Sequence, residues 1–145
     1  PRTALLPFLL IVLGIIMHGM LRDGVVTYMP TYLAETYALS NELSIFSGVF
    51  PALFSMICFS VCGTVFSRFF KNEVFCASVI FGVASVAAAL LLLPLSRGGA
   101  ILAILCMTLI TGCMHGVNLM LITVVPKRFI KSGKVSTFSG LLNAA

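Results

Sequence analysis

The chain has 145 residues, of which 60% are hydrophobic and 9% charged, with a formal net charge of +5 and a mean hydropathy of +1.16. Soluble domains are about 45–50% apolar and about 25% charged, so this composition excludes a soluble globular domain, and it equally excludes a disordered chain or a disulfide scaffold. The excess apolar surface is expected to face lipid, and the length leaves room for about five spans of roughly 20 residues.

The charged residues are spaced widely enough to mark the membrane spans. Four uncharged stretches reach or exceed about 18 residues, the threshold for a transmembrane helix, and a fifth begins at Val135 and continues to Ala145. The predicted spans are 3–36, 44–67, 74–95, 100–125 and 136–145. The sequence therefore predicts an all-α integral membrane fold in one domain, with four complete transmembrane helices and the beginning of a fifth.

The first predicted span is too long for a bilayer. A continuous helix from Thr3 to Thr36 would be about 50 Å long at 1.5 Å per residue, whereas the hydrocarbon core is about 30 Å thick. The helix is therefore expected either to tilt and protrude or to be broken near Gly24 and Pro30. Breaks at depth are tolerated only beside protein or a water-filled cavity, and they frame substrate sites in secondary transporters.

Arg22 stands inside this first apolar stretch. An arginine at the bilayer centre costs about 2.5–3.5 kcal/mol on insertion scales, so it usually faces a cavity or a partner, and its guanidinium suits bidentate binding of phosphate or carboxylate. The alternative is that Arg22 snorkels to the outer interface or pairs with Asp23. Because adjacent residues point about 100° apart on a helix, Asp23 is predicted to bond a neighbouring helix instead.

Three other polar residues are candidates for the same site. His18 lies four residues before Arg22 and shares its helix face, while His115 and Asn118 are three residues apart on the fourth span. Either histidine could relay a proton or satisfy an interhelical hydrogen bond. The hydrogen-bonding role is favoured for His115, and both roles stay open for His18. Arg22, His18, His115 and Asn118 are the predicted substrate-binding residues.

The remaining motifs predict packing rather than chemistry. Cys58 and Cys62 share a face of the second span, where buried cysteines usually act as small hydrophobic residues. Gly112 and Gly116 form a GxxxG pattern that lets another helix approach closely. The spans contain no acid pair, no serine–histidine pairing on a recognisable motif and no metal cluster, so neither an enzyme nor a metal or other cofactor is predicted.

The distribution of basic residues predicts the topology. Seven Lys and Arg residues fall on one side of the predicted spans, near the N-terminus and in the loops 68–71 and 127–134, whereas the other side carries Arg97 together with Glu35 and Glu42. The positive-inside rule makes the basic side cytoplasmic. The net charge is thereby explained without nucleic acid as a partner.

With these spans and residues, the chain resembles the C-terminal half of a major facilitator superfamily transporter, and within it the organophosphate:phosphate antiporter family, which includes glycerol-3-phosphate transporters. The strongest likeness is Arg22-x-Gly24 followed by Pro30-Thr31-Tyr32-Leu33, which is similar to the seventh helix of that family. Two segments resemble its cytoplasmic loops more loosely, namely 63–71 and 126–140.

The resemblance implies a fold, a partner and a function. It implies part of a C-terminal six-helix bundle, an N-terminal half outside this chain, and a bacterial inner membrane location. The arginine corresponding to Arg22 binds substrate phosphate in that family, so the expected activity is alternating-access transport of a small anion, an organic phosphate or carboxylate. The alternatives are a major facilitator transporter for an unrelated solute, or a membrane sensor or assembly module that transports nothing.

Overall fold

The computed structural model describes residues 2–92, 99–127 and 135–144, and these residues form helices and short connections without any strand. The elements in chain order are α1 Arg2–Tyr37, α2 Asn41–Ser47, α3 Val49–Phe69, α4 Glu73–Leu92, α5 Ala100–Asn118, a π-helical segment Leu119–Val124 called here the π segment, and α6 Val135–Asn143. The predicted all-helical fold is confirmed.

Four helical stretches among the described residues are long and apolar enough to cross a bilayer, as the charge spacing predicts. They are Phe8–Tyr37, Asn41–Phe69, Glu73–Leu92 and Ala100–Lys127. Each is longer than the roughly 18 residues that a spanning helix needs. The chain therefore has the architecture of a membrane protein with four candidate spans.

Helix α1 is continuous. Its 36 residues pass through Gly24 and Pro30 without a break, so of the two expected arrangements the structure has the long unbroken helix. A Cβ added at Gly24 would meet nothing within 4 Å, so close packing does not require glycine there. The helix ends before Ala38, whose φ of 53° is the left-handed conformation that commonly follows a helix.

Helix α5 is the centre of the bundle and packs against α1, α3 and α4. The C-terminal half of α5 joins the main apolar core through Ile110, Met114 and Val117. The N-terminal half of α5 joins a second, smaller core through Ala103 and Met107. Both cores reach α1, so α5 holds the N-terminal helix along most of its length.

Helices α3 and α5 approach each other closely at two glycines of α5. A Cβ on Gly112 would lie 2.5 Å from the Sγ of Cys58 and 2.8 Å from Cδ1 of Phe54. A Cβ on Gly116 would lie 2.5 Å from the Sγ of Cys62. The GxxxG pattern of α5 therefore receives the two cysteines of α3, which remain free thiols and act as small packing residues, as predicted.

The long helices α1, α3, α4 and α5 alternate in direction along the chain. One cavity is lined by Leu10, Val74 and Leu121, which places the beginning of α1, the beginning of α4 and the π segment at one end of the bundle. Phe50 and Ile101 line another cavity and place the beginnings of α3 and α5 at the opposite end. Helices α3 and α5 are therefore parallel to each other, and α1 and α4 run in the opposite direction.

Part of the topology prediction falls on residues outside those that the structure describes. These residues are Arg97, Arg128, Lys131 and Lys134. Of the described basic residues, Arg68 lies in the last turn of α3 and Lys71 in the connection to α4, and Lys127 ends the fourth candidate span.

Candidate functional site

Two cavities meet at Arg22. The first has a volume of about 380 Å³ and lies between α1, the π segment and α6. Its polar lining residues are His18, Arg22, Asp23, Asn118 and Asn143. The second has a volume of about 350 Å³ and lies between α1, α3 and α5. Its polar lining residues are Arg22, Asp23, Ser55, Thr111 and His115. All four sequence-predicted site residues therefore line one cavity or the other, and Arg22 lines both.

Arg22 lies on the side of α1 that packs into the bundle. Residues spaced three or four apart form one stripe along a helix. The stripe consists of Ile15, His18, Arg22, Val25, Met29 and Leu33. Its apolar members belong to the two cores, so Arg22 interrupts a packed stripe instead of facing the surrounding lipid. Arg22 also lies midway along the apolar stretch from Phe8 to Tyr37.

Arg22 and Asp23 form an ion pair. The guanidinium Nε donates a hydrogen bond of 2.8 Å to Oδ1 of Asp23, with the two side chains 29% and 67% exposed. The prediction that Asp23 would bond a neighbouring helix is wrong. The arginine side chain is long enough to reach the carboxylate of Asp23, although the Cβ atoms of adjacent helix residues point about 100° apart.

His18 is almost completely buried, with 3% of its surface exposed. Its Nδ1 lies 2.5 Å from the carbonyl oxygen of Ile15. Because a carbonyl only accepts hydrogen bonds, Nδ1 carries the proton in this contact. The other ring nitrogen, Nε2, is buried without a hydrogen-bond partner among the described residues. His18 therefore presents an unpaired acceptor beside the first cavity.

His115 is held by its own helix and by a ring contact. Its Nδ1 lies 2.9 Å from the carbonyl oxygen of Thr111, and its ring meets that of Phe59 edge-on with centroids 5.8 Å apart. Thr111 in turn donates a hydrogen bond of 2.9 Å to the carbonyl oxygen of Met107. These contacts fix the imidazole in the wall of the second cavity.

Sequence reasoning missed three polar residues of the cavity walls. Ser55 and Thr111 line the second cavity and Asn143 lines the first. An asparagine inside an apolar segment was a usable signal at position 143, because such residues face the bundle interior more often than lipid. Serine and threonine carry no such signal, since they satisfy their hydroxyls on their own helix, as Ser55 does on the carbonyl of Ala52.

The π segment begins directly after Asn118 and contributes Ile122 to the first cavity. A π-helical turn adds a residue to the repeat and rotates the following side chains relative to those of the preceding α-helix. Such turns are often found at functional sites. Here the change in repeat falls where α5 passes from the closely packed contact with α3 to the wall of the first cavity.

The site combines a guanidinium that keeps free hydrogen-bond donors with two histidine side chains. Among the described residues, the Arg22 guanidinium makes one hydrogen bond, through Nε, so its terminal NH₂ groups keep donors for another acceptor. Asp23 balances its charge, so the pair is neutral overall. No three His, Cys, Asp or Glu residues of the described ranges lie close enough together to hold a metal ion.

No family model, curated protein or solved structure matches this chain.

Proposed function

We propose that the chain is part of a secondary active transporter that moves a small anion, an organic phosphate or carboxylate, by alternating access. One observation carries the proposal: the Arg22–Asp23 pair lies midway along an apolar helix, at the junction of two cavities. Charged residues at this depth are expensive to insert and mark substrate or ion pathways. Arg22 binds the anion through its free guanidinium donors, and Asn118 and His115 supply further polar contacts.

The proposed topology follows the positive-inside rule. The end of α3 at Arg68, the connection containing Lys71 and the segment beginning at Lys127 lie on the cytoplasmic side of a bacterial inner membrane. The resemblance at Arg22, Gly24 and Pro30 supports the major facilitator superfamily, and within it the organophosphate:phosphate antiporters. In that arrangement an opposing bundle covers the side of the cavities that this chain leaves open.

A second candidate is a membrane sensor or assembly module that transports nothing. The ion pair favours it, because Arg22 is already neutralised by Asp23 and needs no substrate to balance its charge. The two cavities favour transport, because a purely structural pair needs no space beside it. Accessibility and transport measurements separate the two candidates.

Transport is tested with the full-length protein in proteoliposomes that contain phosphate. Exchange of internal phosphate for external labelled phosphate or glycerol 3-phosphate is expected in the wild type. Arg22→Lys is expected to lose at least tenfold in exchange rate, because an ammonium cannot reproduce the planar donor set of a guanidinium. Arg68→Lys, which changes the same residue type at an exposed position in the last turn of α3, is the matched control. Full exchange by Arg22→Lys would contradict the proposal.

Accessibility is tested on α3 with a membrane-impermeant thiol reagent. Ser55 is half-buried on this helix and lines the second cavity, whereas Val61 is exposed and lines none of the cavities described. Ser55→Cys is expected to react above the background of the native cysteines, and Val61→Cys is not. Equal, background-level reaction of the two variants would favour the sensor or assembly module.

A further inference from the structure

An apolar groove lies on the bundle at the end where α1 and α4 begin. It is the cavity lined by Leu10, Val74 and Leu121, and its volume is about 370 Å³. Helices α1 and α4 both pack against the π segment, which supplies Leu121 as part of the wall. Along α4 the wall extends from Val74 to Phe81, about 10 Å at 1.5 Å per residue. The groove therefore follows the direction of the helices, which is also the direction of the acyl chains in a bilayer.

The side chains that line this groove are apolar, with the exception of Ser78. The Ser78 hydroxyl donates a hydrogen bond of 2.9 Å to the carbonyl oxygen of Val74 on its own helix, so its one proton is already used. None of the lining residues carries a charge, and none of them lines either cavity at Arg22. The groove therefore suits a hydrocarbon chain and not the small anion proposed for Arg22.

Positive charge lies beyond one end of the groove. Lys71 precedes Val74 by three residues, and Lys127 follows Leu121 by six. Both lysine side chains are exposed, and neither forms an ion pair with a described residue. Glu73 is the described acidic residue at this end of the bundle, and only 4% of its surface is exposed. The surface at this end of the groove is therefore positively charged.

We propose that this groove binds an anionic phospholipid, with one acyl chain between α1 and α4 and the phosphate near Lys71 and Lys127. Charge complementarity selects this occupant, because an apolar groove alone accepts any lipid, whereas two exposed cations at its end favour a negative headgroup. Anionic lipids give the cytoplasmic leaflet its negative surface potential, and basic sites between transmembrane helices on that side bind their headgroups. The positive-inside rule assigns both lysines to that side. The site lies apart from Arg22 and does not depend on transport.

Headgroup binding is tested by native mass spectrometry of the full-length protein in detergent, titrated with phosphatidylglycerol or with phosphatidylcholine of the same acyl chains. The wild type is expected to bind phosphatidylglycerol more tightly. Lys71→Gln and Lys127→Gln are each expected to weaken that binding about fivefold, and the double variant about 30-fold. Arg68→Gln is the matched control, because it removes one positive charge at the same end from α3, which does not line the groove. It is expected to keep the affinity of the wild type.

Acyl-chain binding is tested by filling the groove. Ser78 and Val79 are both exposed on α4, but Ser78 lines this groove and Val79 lines a different apolar cavity between α4 and α5. Ser78→Phe is expected to weaken phosphatidylglycerol binding about tenfold, because the ring takes the place of buried acyl methylenes. Val79→Phe is expected to bind as the wild type does. Thermal unfolding without added lipid is expected to be similar in both variants, since both positions are exposed.

Several results would overturn the lipid site. Equal affinity of the wild type for the two lipids would do so, as would a loss in Arg68→Gln as large as that in the lysine variants. Equal losses in Ser78→Phe and Val79→Phe would show that the acyl chain lies outside the groove. A dimer that Ser78→Phe dissociates, without a lipid preference, would assign the groove to a second copy of the chain. Because lipid binding is measured without transport, absence of phosphate exchange would contradict the proposed function and leave this site standing.

Discussion

Helices α1 and α5 are both apolar and long enough to span a bilayer, yet they differ sharply in how they are packed. In the most apolar 18-residue window of each stretch, 61% of the residues around α5 are buried and 11% of those of α1. Helix α5 contacts three other long helices, whereas α1 packs along a single stripe. Helix α5 therefore acts as the scaffold of the bundle, and α1 carries the charged residues Arg22 and Asp23.

This division has a physical basis in residue size and charge. Gly112 and Gly116 have no side chain beyond a hydrogen atom, so the backbone of α5 lies directly against side chains of α3 at these two positions. Arg22 and Asp23 on α1 need space and polar neighbours, so close packing around them is excluded. The cavities lie where the tightly packed helix and the charged helix face each other.

The largest expected effect on stability comes from disrupting the contact between α3 and α5. Gly112→Leu places a side chain where even a Cβ is 2.5 Å from the Sγ of Cys58. Overpacking of this kind typically costs 1–3 kcal/mol and occasionally more, so we expect a large fall in thermal stability or a loss of folded protein. Thermal unfolding in detergent, followed by size-exclusion chromatography, measures it.

The matched control for this change is Gly82→Leu on α4, where a Cβ would meet nothing within 4 Å. Its thermal stability is expected to stay at or above that of the wild type. Similar losses in the two variants would contradict the close α3–α5 contact at Gly112.

A smaller and opposite effect is expected inside α5 at Thr108. Its Oγ1 is buried with no hydrogen-bond partner among the described residues, whereas Oγ1 of Thr111, one turn later, donates to the carbonyl of Met107. Thr108→Val removes an unsatisfied hydroxyl and is expected to stabilise the protein by about 1 kcal/mol. Thr111→Val removes a satisfied hydroxyl and is expected to destabilise it by about 0.5–1.5 kcal/mol. Unfolding of the two variants in the same detergent tests this contrast, which equal shifts would contradict.

The smallest effect is expected on α1. Gly24→Ala is expected to stabilise the helix by up to about 1 kcal/mol, because alanine favours the helix interior and nothing within 4 Å opposes its Cβ. Thermal unfolding and phosphate exchange are measured on the same preparation. A destabilised Gly24→Ala would show that α1 bends at this glycine and would blur the contrast with α5.

The composition and the charge spacing were sufficient to predict the four spans, because a bilayer imposes the same length and polarity on every helix that crosses it. The same reasoning placed Cys58 and Cys62 with Gly112 and Gly116 among packing residues, since small residues mark close helix contacts. It did not predict that the two pairs meet. Which helix fills a glycine face depends on the arrangement of the whole bundle.

The sequence predicted which residues form the site but not the ion pair between them. Helix periodicity put His18 and Arg22 on one face of α1, and the structure places both in the packed stripe. Periodicity also argued against the Arg22–Asp23 pair, because it describes where a Cβ points and not how far a long side chain reaches. The pair, at 2.8 Å, was therefore visible only in three dimensions.

The sequence by itself determined that the chain has the composition of a membrane protein, where its spans lie and which polar residues stand within them, because these properties depend on local polarity and length. Only the tertiary structure decided that α5 is the buried centre, that α1 runs unbroken through Gly24 and Pro30, and that the four candidate residues line two cavities sharing Arg22. These properties depend on which helix faces fit together, and that choice is made by side chains far apart in the chain.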